Sequence, residues 1–253
     1  MDEKRQSAPM ILPSRRGRQP LKLALTVAAY LVLGGLLFYS FGPRVVLPLH
    51  GAPVADSVQA PPPPAKTEGH LVPLEAHIMS KCPDAKDCLR DLVLPAMQKV
   101  HDKVNFTLSF IGKPTENDGV ACKHGPGECL GNIIELCAQR LYPDPKIFLG
   151  FTMCLTRDYQ NIPQRSLIED CALEHAIDFD LLNDCATKDD GAFGVGMLRE
   201  SVRRTADAGV TKSCTIRLDN QIYCIRDDGE WVDCPHGPKV NDLVMHITKR
   251  YSA

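Results

Sequence analysis

The residues best suited to chemistry in this chain are cysteines, and two clusters of them have informative spacing. The first is Cys82-Pro83-Asp84-Ala85-Lys86-Asp87-Cys88, where a strand-like run gives way to a helix-like one. In thiol-disulfide exchange the thiolate is the nucleophile, and the amides at a helix N-terminus favour thiolate over thiol. Pro83 suits a first helical position, where no intrahelical bond is lost with the missing amide proton. Cys82 is therefore the candidate attacking thiol, expected to be accessible at the junction, and Cys88 the candidate resolving thiol. Position alone also allows the two to be a staple of the loop. In a continuous helix, six steps of about 1.5 Å would separate them by about 9 Å along the axis, beyond the roughly 7 Å limit for bridged Cα atoms. A direct Cys82 to Cys88 bond thus calls for a helix that begins late, near Lys86 or Asp87.

The second cluster is Cys122-Lys123-His124-Gly125-Pro126-Gly127-Glu128-Cys129-Leu130-Gly131-Asn132, continuing to Cys137. His124 has the chemistry to tune a thiolate or bind a metal, and its blander reading is the cap of a disulfide-tied loop. Cys122, His124, Cys129 and Cys137 offer zinc-type ligands, yet their spacing fits no zinc template. Cys154, Cys171, Cys185, Cys214, Cys224 and Cys234 are most simply structural, as is Trp231, the single tryptophan. The 11 cysteines are an odd number and all follow residue 80. At least one is unpaired, and such density belongs where disulfides persist.

The elements that must position these residues follow from periodicity. LVPLEAHIMS alternates Leu74, Ala76, Ile78 and Ser80 with Glu75, His77 and Met79, as a half-buried strand does. Leu89, Leu92, Val93, Ala96, Met97 and Val100 recur at helical spacing, and Val104 to Ile111 is again strand-like. That order is a βαβ unit with parallel pairing. Asn132 to Leu141, Ser166 to Ala176 and a short stretch around Leu181 read as helices, each with a cysteine, and Phe193 to Ala206 as another. Cys214 to Leu218 and Gln221 to Arg226 flank Asp219-Asn220 as a hairpin, and Val240 to Arg250 is amphipathic. The fold class is α/β, a thioredoxin-like fold with a helical insertion at about residues 130–190. The stretch before the hairpin, Ala208 to Ser213, lacks the proline that thioredoxin-like enzymes usually carry there.

Ahead of this domain, assigned to residues 71–253, lie three segments. Residues 1–22 form a basic tail with Lys4, Arg5, Arg15, Arg16, Arg18 and Lys22. Residues 23–41 run without a charge for about the length that crosses a bilayer, and residues 42–70 are a Pro-rich stalk. The positive charge before Leu23 predicts a type II signal anchor, with the C-terminal domain in a lumenal or extracellular space. Asn105-Phe106-Thr107 is a candidate glycosylation sequon. A net charge of −2 gives no basic patch for nucleic acid.

The second cluster matches C-x-H-G-x-x-E-C-x-x-N-x-x-x-x-C at every fixed position: Cys122, His124, Gly125, Glu128, Cys129, Asn132 and Cys137. That is the signature of the GILT (gamma-interferon-inducible lysosomal thiol reductase) family, which the chain resembles over residues 74 to 236. GVTKSCTIRL and CIRDDGEWVDCPHG look like the ending of fungal members. The resemblance implies a thiol-disulfide oxidoreductase that reduces disulfide-containing protein substrates in an endolysosomal, vacuolar or extracellular space. An external thiol reductant regenerates it, and no cofactor is required. The family's usual active site is C-x-x-C, whereas here Ala85 takes the place of the second cysteine. The alternative is a catalytically weak, disulfide-stapled binding module anchored to a membrane.

Overall fold

Strand β1 (Val72–Ile78) is covered on both faces, which the alternation in its sequence does not foretell. Leu74, Ala76 and Ile78 are buried on one face, and Glu75 and His77 are buried too. The polar side chains survive burial because each is paired. Glu75 lies between Arg204 and Arg217, and His77 joins Glu75 through Nε2 (3.3 Å) and Thr205 through Nδ1 (2.9 Å). Burial pushes the Glu75 carboxyl up, but the hydrogen bond and charge of Arg204, with His77 and Arg217, hold it below its ordinary value. His77 is pushed down, chiefly by its burial.

This computed structural model describes residues 70–252. The expected basic tail, transmembrane segment and nearly all of the stalk lie outside the described residues. Among the described residues no helix is long and apolar enough to cross a membrane.

Helix α1 (Pro83–Cys88) passes through a π-helical turn (Leu89–Val93) into α2 (Leu94–Val100). Pro95 accounts for the turn, because it has no amide proton for Asp91 and its ring would strike that carbonyl. The amide of Leu94 reaches back to Leu89 instead. Strand β2 (Val104–Phe110) then pairs parallel with β1, Val72 opposite Val104 through Ile78 opposite Phe110.

A short hairpin, β3 (Lys113–Pro114) and β4 (Val120–Ala121), leads into a helical block. Its helices are α3 (Pro126–Leu141), α4 (Pro145–Arg157), α5 (Arg165–Glu174) and α6 (Phe179–Thr187). Cys137–Cys185 ties α3 to α6 and Cys154–Cys171 ties α4 to α5. Helix α4 escapes the periodicity reading, although Asp144 before Pro145 is a start signal and its carboxylate accepts from the amide of Lys146.

Helix α7 (Ala192–Asp207) packs on β1 and β2, where Ser201 Oγ accepts from the amide of Phe110. Strands β5 (Thr215–Leu218), β6 (Gln221–Asp227) and β7 (Glu230–Val232) complete an antiparallel meander, and α8 (Val240–Tyr251) closes the chain. Both hairpins turn on two residues of positive φ, Asp219-Asn220 and Asp228-Gly229, as two-residue hairpin loops require. The sheet order β2-β1-β5-β6-β7, with β1 and β2 parallel and the rest antiparallel, is thioredoxin-like, and the helical block is its insertion.

Candidate active site

The chain leaves β1 through Met79-Ser80-Lys81-Cys82, a turn closed by the amide of Cys82 on the carbonyl of Met79 (3.1 Å). Cys82 is the N-cap of α1, with φ −102° and ψ 129°, and Pro83 opens the helix. Its Sγ donates to the carbonyl of Ser213 (3.7 Å), and the Ser213 hydroxyl accepts from the amide of Met79 (2.9 Å). Cys82 is the one cysteine without a disulfide, which accounts for the odd number. It is 7% exposed and therefore more enclosed than its place at the junction foretells, because Ser213 covers it.

Cys88 lies elsewhere than beside Cys82. The helix begins at Pro83, not near Lys86 or Asp87, so the rise along α1 carries Cys88 away from Cys82. Cys88 faces the sheet and is bonded to Cys214, with Cα atoms 6.2 Å apart and both residues fully buried. A direct Cys82–Cys88 bond, which the sequence allowed only with a late helix start, is not formed. Cys214, read from the sequence as a structural cysteine, stands next to the residue that contacts Cys82. The Ser213-Cys214 peptide, at the entry to β5 where the sequence offers no proline, is cis.

The seven signature residues lie on the loop before α3 and on α3, and two of them, Glu128 and Asn132, reach this turn. Cys122 and Cys129 close a loop with each other, and Cys137 is taken up by Cys185, so these thiols are not available as a zinc set. His124 meets the buried carboxylate of Glu128 through its ring, and its backbone amide donates to the same side chain (3.3 Å). Gly125 has φ +84° and ψ −173°, a conformation essentially confined to glycine, at the N-cap of α3. Asn132 Oδ1 accepts from the amide of Ser80 (3.0 Å), and Ser80 Oγ donates to the carbonyl of Glu128 (3.2 Å). Helix α3 can approach this closely because residue 131 is glycine. A Cβ there would lie 2.4 Å from Ile162 Cγ2 and 2.7 Å from Ser80 Oγ. Lys81 completes the anchorage by donating to the carbonyls of Gln160 and Ile162. The role of Ser80, Lys81 and Ser213 has no signal in the sequence, because each acts through a partner at least 48 residues away.

Beside the turn opens a cleft of about 590 Å³, with Met79, Ile111, Val210 and Cys122 in its wall. On α3, Glu135 is fully buried with both carboxyl oxygens unpaired. Burial first, and the nearby Glu128 second, push its pKa well above the ordinary 4.5. Of the carboxylates that converge at Asp84, Asp227 and Asp228, Asp84 is engaged by the amides of Asp228 and Gly229. Asn105, the candidate glycosylation residue, is exposed on the edge strand β2.

Comparison with known proteins agrees with this geometry. The family profile described as gamma interferon inducible lysosomal thiol reductase (GILT) matches residues 73–175, which include β1 after its first residue, Cys82, Cys88 and the whole signature. GILT-like protein 1 of Drosophila melanogaster is 28% identical over 168 residues, covering 60% of this chain and 67% of that protein. The gamma-interferon-responsive lysosomal thiol protein of Arabidopsis thaliana is 28% identical over 125 residues, and the chain spans about half of its length (49%). Among solved structures, MdbA, a thiol-disulfide oxidoreductase from Corynebacterium diphtheriae, shares the fold. It has a TM-score of 0.51 at 10% identity and covers 72% of this chain and 86% of that one. BdbD from Bacillus subtilis is similar at a TM-score of 0.48 and 18% identity, covering 72% of this chain and 88% of its own. With the signature complete, the chain is similar to the GILT thiol reductases over residues 73–175, and that match together with the shared fold supports a thiol-disulfide oxidoreductase.

Proposed function

We propose that this protein reduces disulfides of protein substrates with Cys82 as the attacking thiol, in a lumenal or extracellular compartment. The observation that carries the reading is that Cys82, alone among 11 cysteines, keeps its thiol, and does so at the strand-to-helix junction. The Cys82 thiolate opens a substrate disulfide, and a mixed disulfide with the substrate forms as the other half leaves. A second thiol then releases the bound half. Cys82 is backed by the Ser80 and Lys81 anchorage, so the signature residues act on the chemistry by position: none of their side chains supplies the attacking sulfur. The enclosure of Cys82 restricts attack to disulfides that enter between Pro83, which is exposed, and the Ser213 segment.

The compartment reading rests on five disulfides, which persist only where the surroundings are oxidising, and on the uncharged run at residues 23–41 behind a basic tail. A membrane anchor of type II and a Pro-rich stalk would then hold the domain on the far side of the bilayer.

The decisive experiment is insulin reduction by wild type and Cys82→Ser in a thiol buffer. The variant is expected to lose activity while its circular dichroism and its five disulfides stay as they are. Equal activity in the two proteins would remove Cys82 from the chemistry and leave a disulfide-stapled binding module as the account.

A further inference from the structure

We propose that Cys214 is a third redox cysteine: the Cys88–Cys214 disulfide is the oxidised product of turnover, and electrons reach substrate from a Cys88/Cys214 dithiol through Cys82. This rests on the reading of Cys82 as the attacking thiol.

A single thiol can form a mixed disulfide, but releasing it within the protein requires a second protein sulfur that reaches Cys82. Helix α1 withholds Cys88, because a residue six places along a continuous helix rises about 9 Å. Cys214 is placed differently. Cys82 Sγ lies on the carbonyl of Ser213, covalently next to Cys214, and Ser213 is itself held by the amide of Met79. Cys214 in turn holds Cys88 within disulfide distance. The three residues form a line in which the middle member, Cys214, adjoins both ends. Two other bridges sit within the helical block, and Cys224–Cys234 links β6 to the segment after β7. Cys122–Cys129 contacts Asn132, which bonds Ser80 and not Cys82, and Cys122 shares the wall of the cleft with Met79.

The sequence of bonds balances. Starting from three thiols, the Cys82 thiolate attacks the substrate disulfide, forming a Cys82-substrate bond and expelling one substrate thiolate. The Cys214 thiolate attacks Cys82 Sγ, the second substrate thiolate leaves, and a Cys82–Cys214 bond forms. The Cys88 thiolate then attacks Cys214 Sγ, which frees Cys82 and closes Cys88–Cys214, the arrangement seen here. Two electrons and two protons have passed from Cys88 and Cys214 to the substrate. Two equivalents of an external thiol, oxidised to their own disulfide, restore the dithiol.

The test uses the full-length protein in graded glutathione buffers with insulin as substrate, with cysteines alkylated and mapped at each step. In wild type, Cys88 and Cys214 should become alkylatable together, ahead of the other eight bonded cysteines, and insulin reduction should appear over the same range. In Cys88→Ser, exposure to insulin should produce a Cys82–Cys214 disulfide, the step before the last. Turnover by wild type while Cys88–Cys214 stays closed would overturn the relay, as would opening of Cys122–Cys129 first, or a lasting Cys82-insulin bond in Cys88→Ser. Should Cys88→Ser fail to fold, the wild-type map decides alone. Loss of activity in Cys82→Ser together with a permanently closed Cys88–Cys214 would refute the relay and leave the attacking role of Cys82 intact.

Discussion

Asn132 shows how a signature residue acts here without touching a reacting atom. Its carbonyl oxygen accepts from the buried amide of Ser80, two residues before Cys82. In Asn132→Ala the amide would be left unpaired, at a cost of about 1–3 kcal/mol. The turn that seats Cys82 would loosen with it. The expected outcome is a lower denaturant midpoint and an insulin-reduction rate that falls by more than the fraction of protein unfolded. A rate that falls only with the folded fraction would make Asn132 a stability residue alone. At this scale the sequence pointed to the right neighbourhood: Cys82 sits at the strand-to-helix turn, and of the signature residues Glu128 and Asn132 reach it. Cys88 and Cys214 were not legible as a pair, because their pairing depends on where α1 starts, and a one-turn error in that start reverses it.

Helix α3 explains what periodicity could and could not disclose. Its apolar residues Ile133, Ile134, Cys137 and Ala138 mark a core face, but Glu128, Asn132 and Glu135 are buried as well. A hydropathy reading assigns such side chains to solvent. The same reading passed over β7, although Asp228-Gly229 before Glu230 is a hairpin signal. Glu135 carries a pH consequence. Its pKa is raised above 4.5 in the folded state, so the folded protein holds a proton that the unfolded chain gives up. The stability linked to that proton is present below pH 4.5 and is lost as pH rises through the folded value. Glu135→Gln should therefore have the higher Tm at pH 7, with the difference closing as pH approaches 4.5. A gap independent of pH would refute this. His77 works in the opposite sense, since its pKa is lowered from 6.5 and its contribution is lost as pH falls.

For the whole molecule, the α/β class, the parallel βαβ opening, the helical insertion and the closing hairpin were all readable, because each depends on short-range pattern. The five-stranded order was not legible, since β1 meets β5 across more than a hundred residues and β7 went unread. The proposed topology has a direct check: in microsomes, the domain from residue 71 onwards should resist protease until detergent is added. Asn105→Gln should remove a glycosidase-sensitive mass shift if the exposed sequon is used. Digestion without detergent would place the domain on the cytosolic side and refute the anchor orientation. The span between Cys88 and Cys214 also has a bearing on how the molecule is made. Cys88 leaves the ribosome 126 residues ahead of Cys214, which at about 5–20 residues per second is on the order of ten seconds. During that interval the neighbouring thiol is Cys82, and an extended chain closes so short a loop readily. In the folded domain the winding of Pro83–Cys88 into helix separates the two, so a Cys82–Cys88 bond formed early would have to be exchanged before α1 could form.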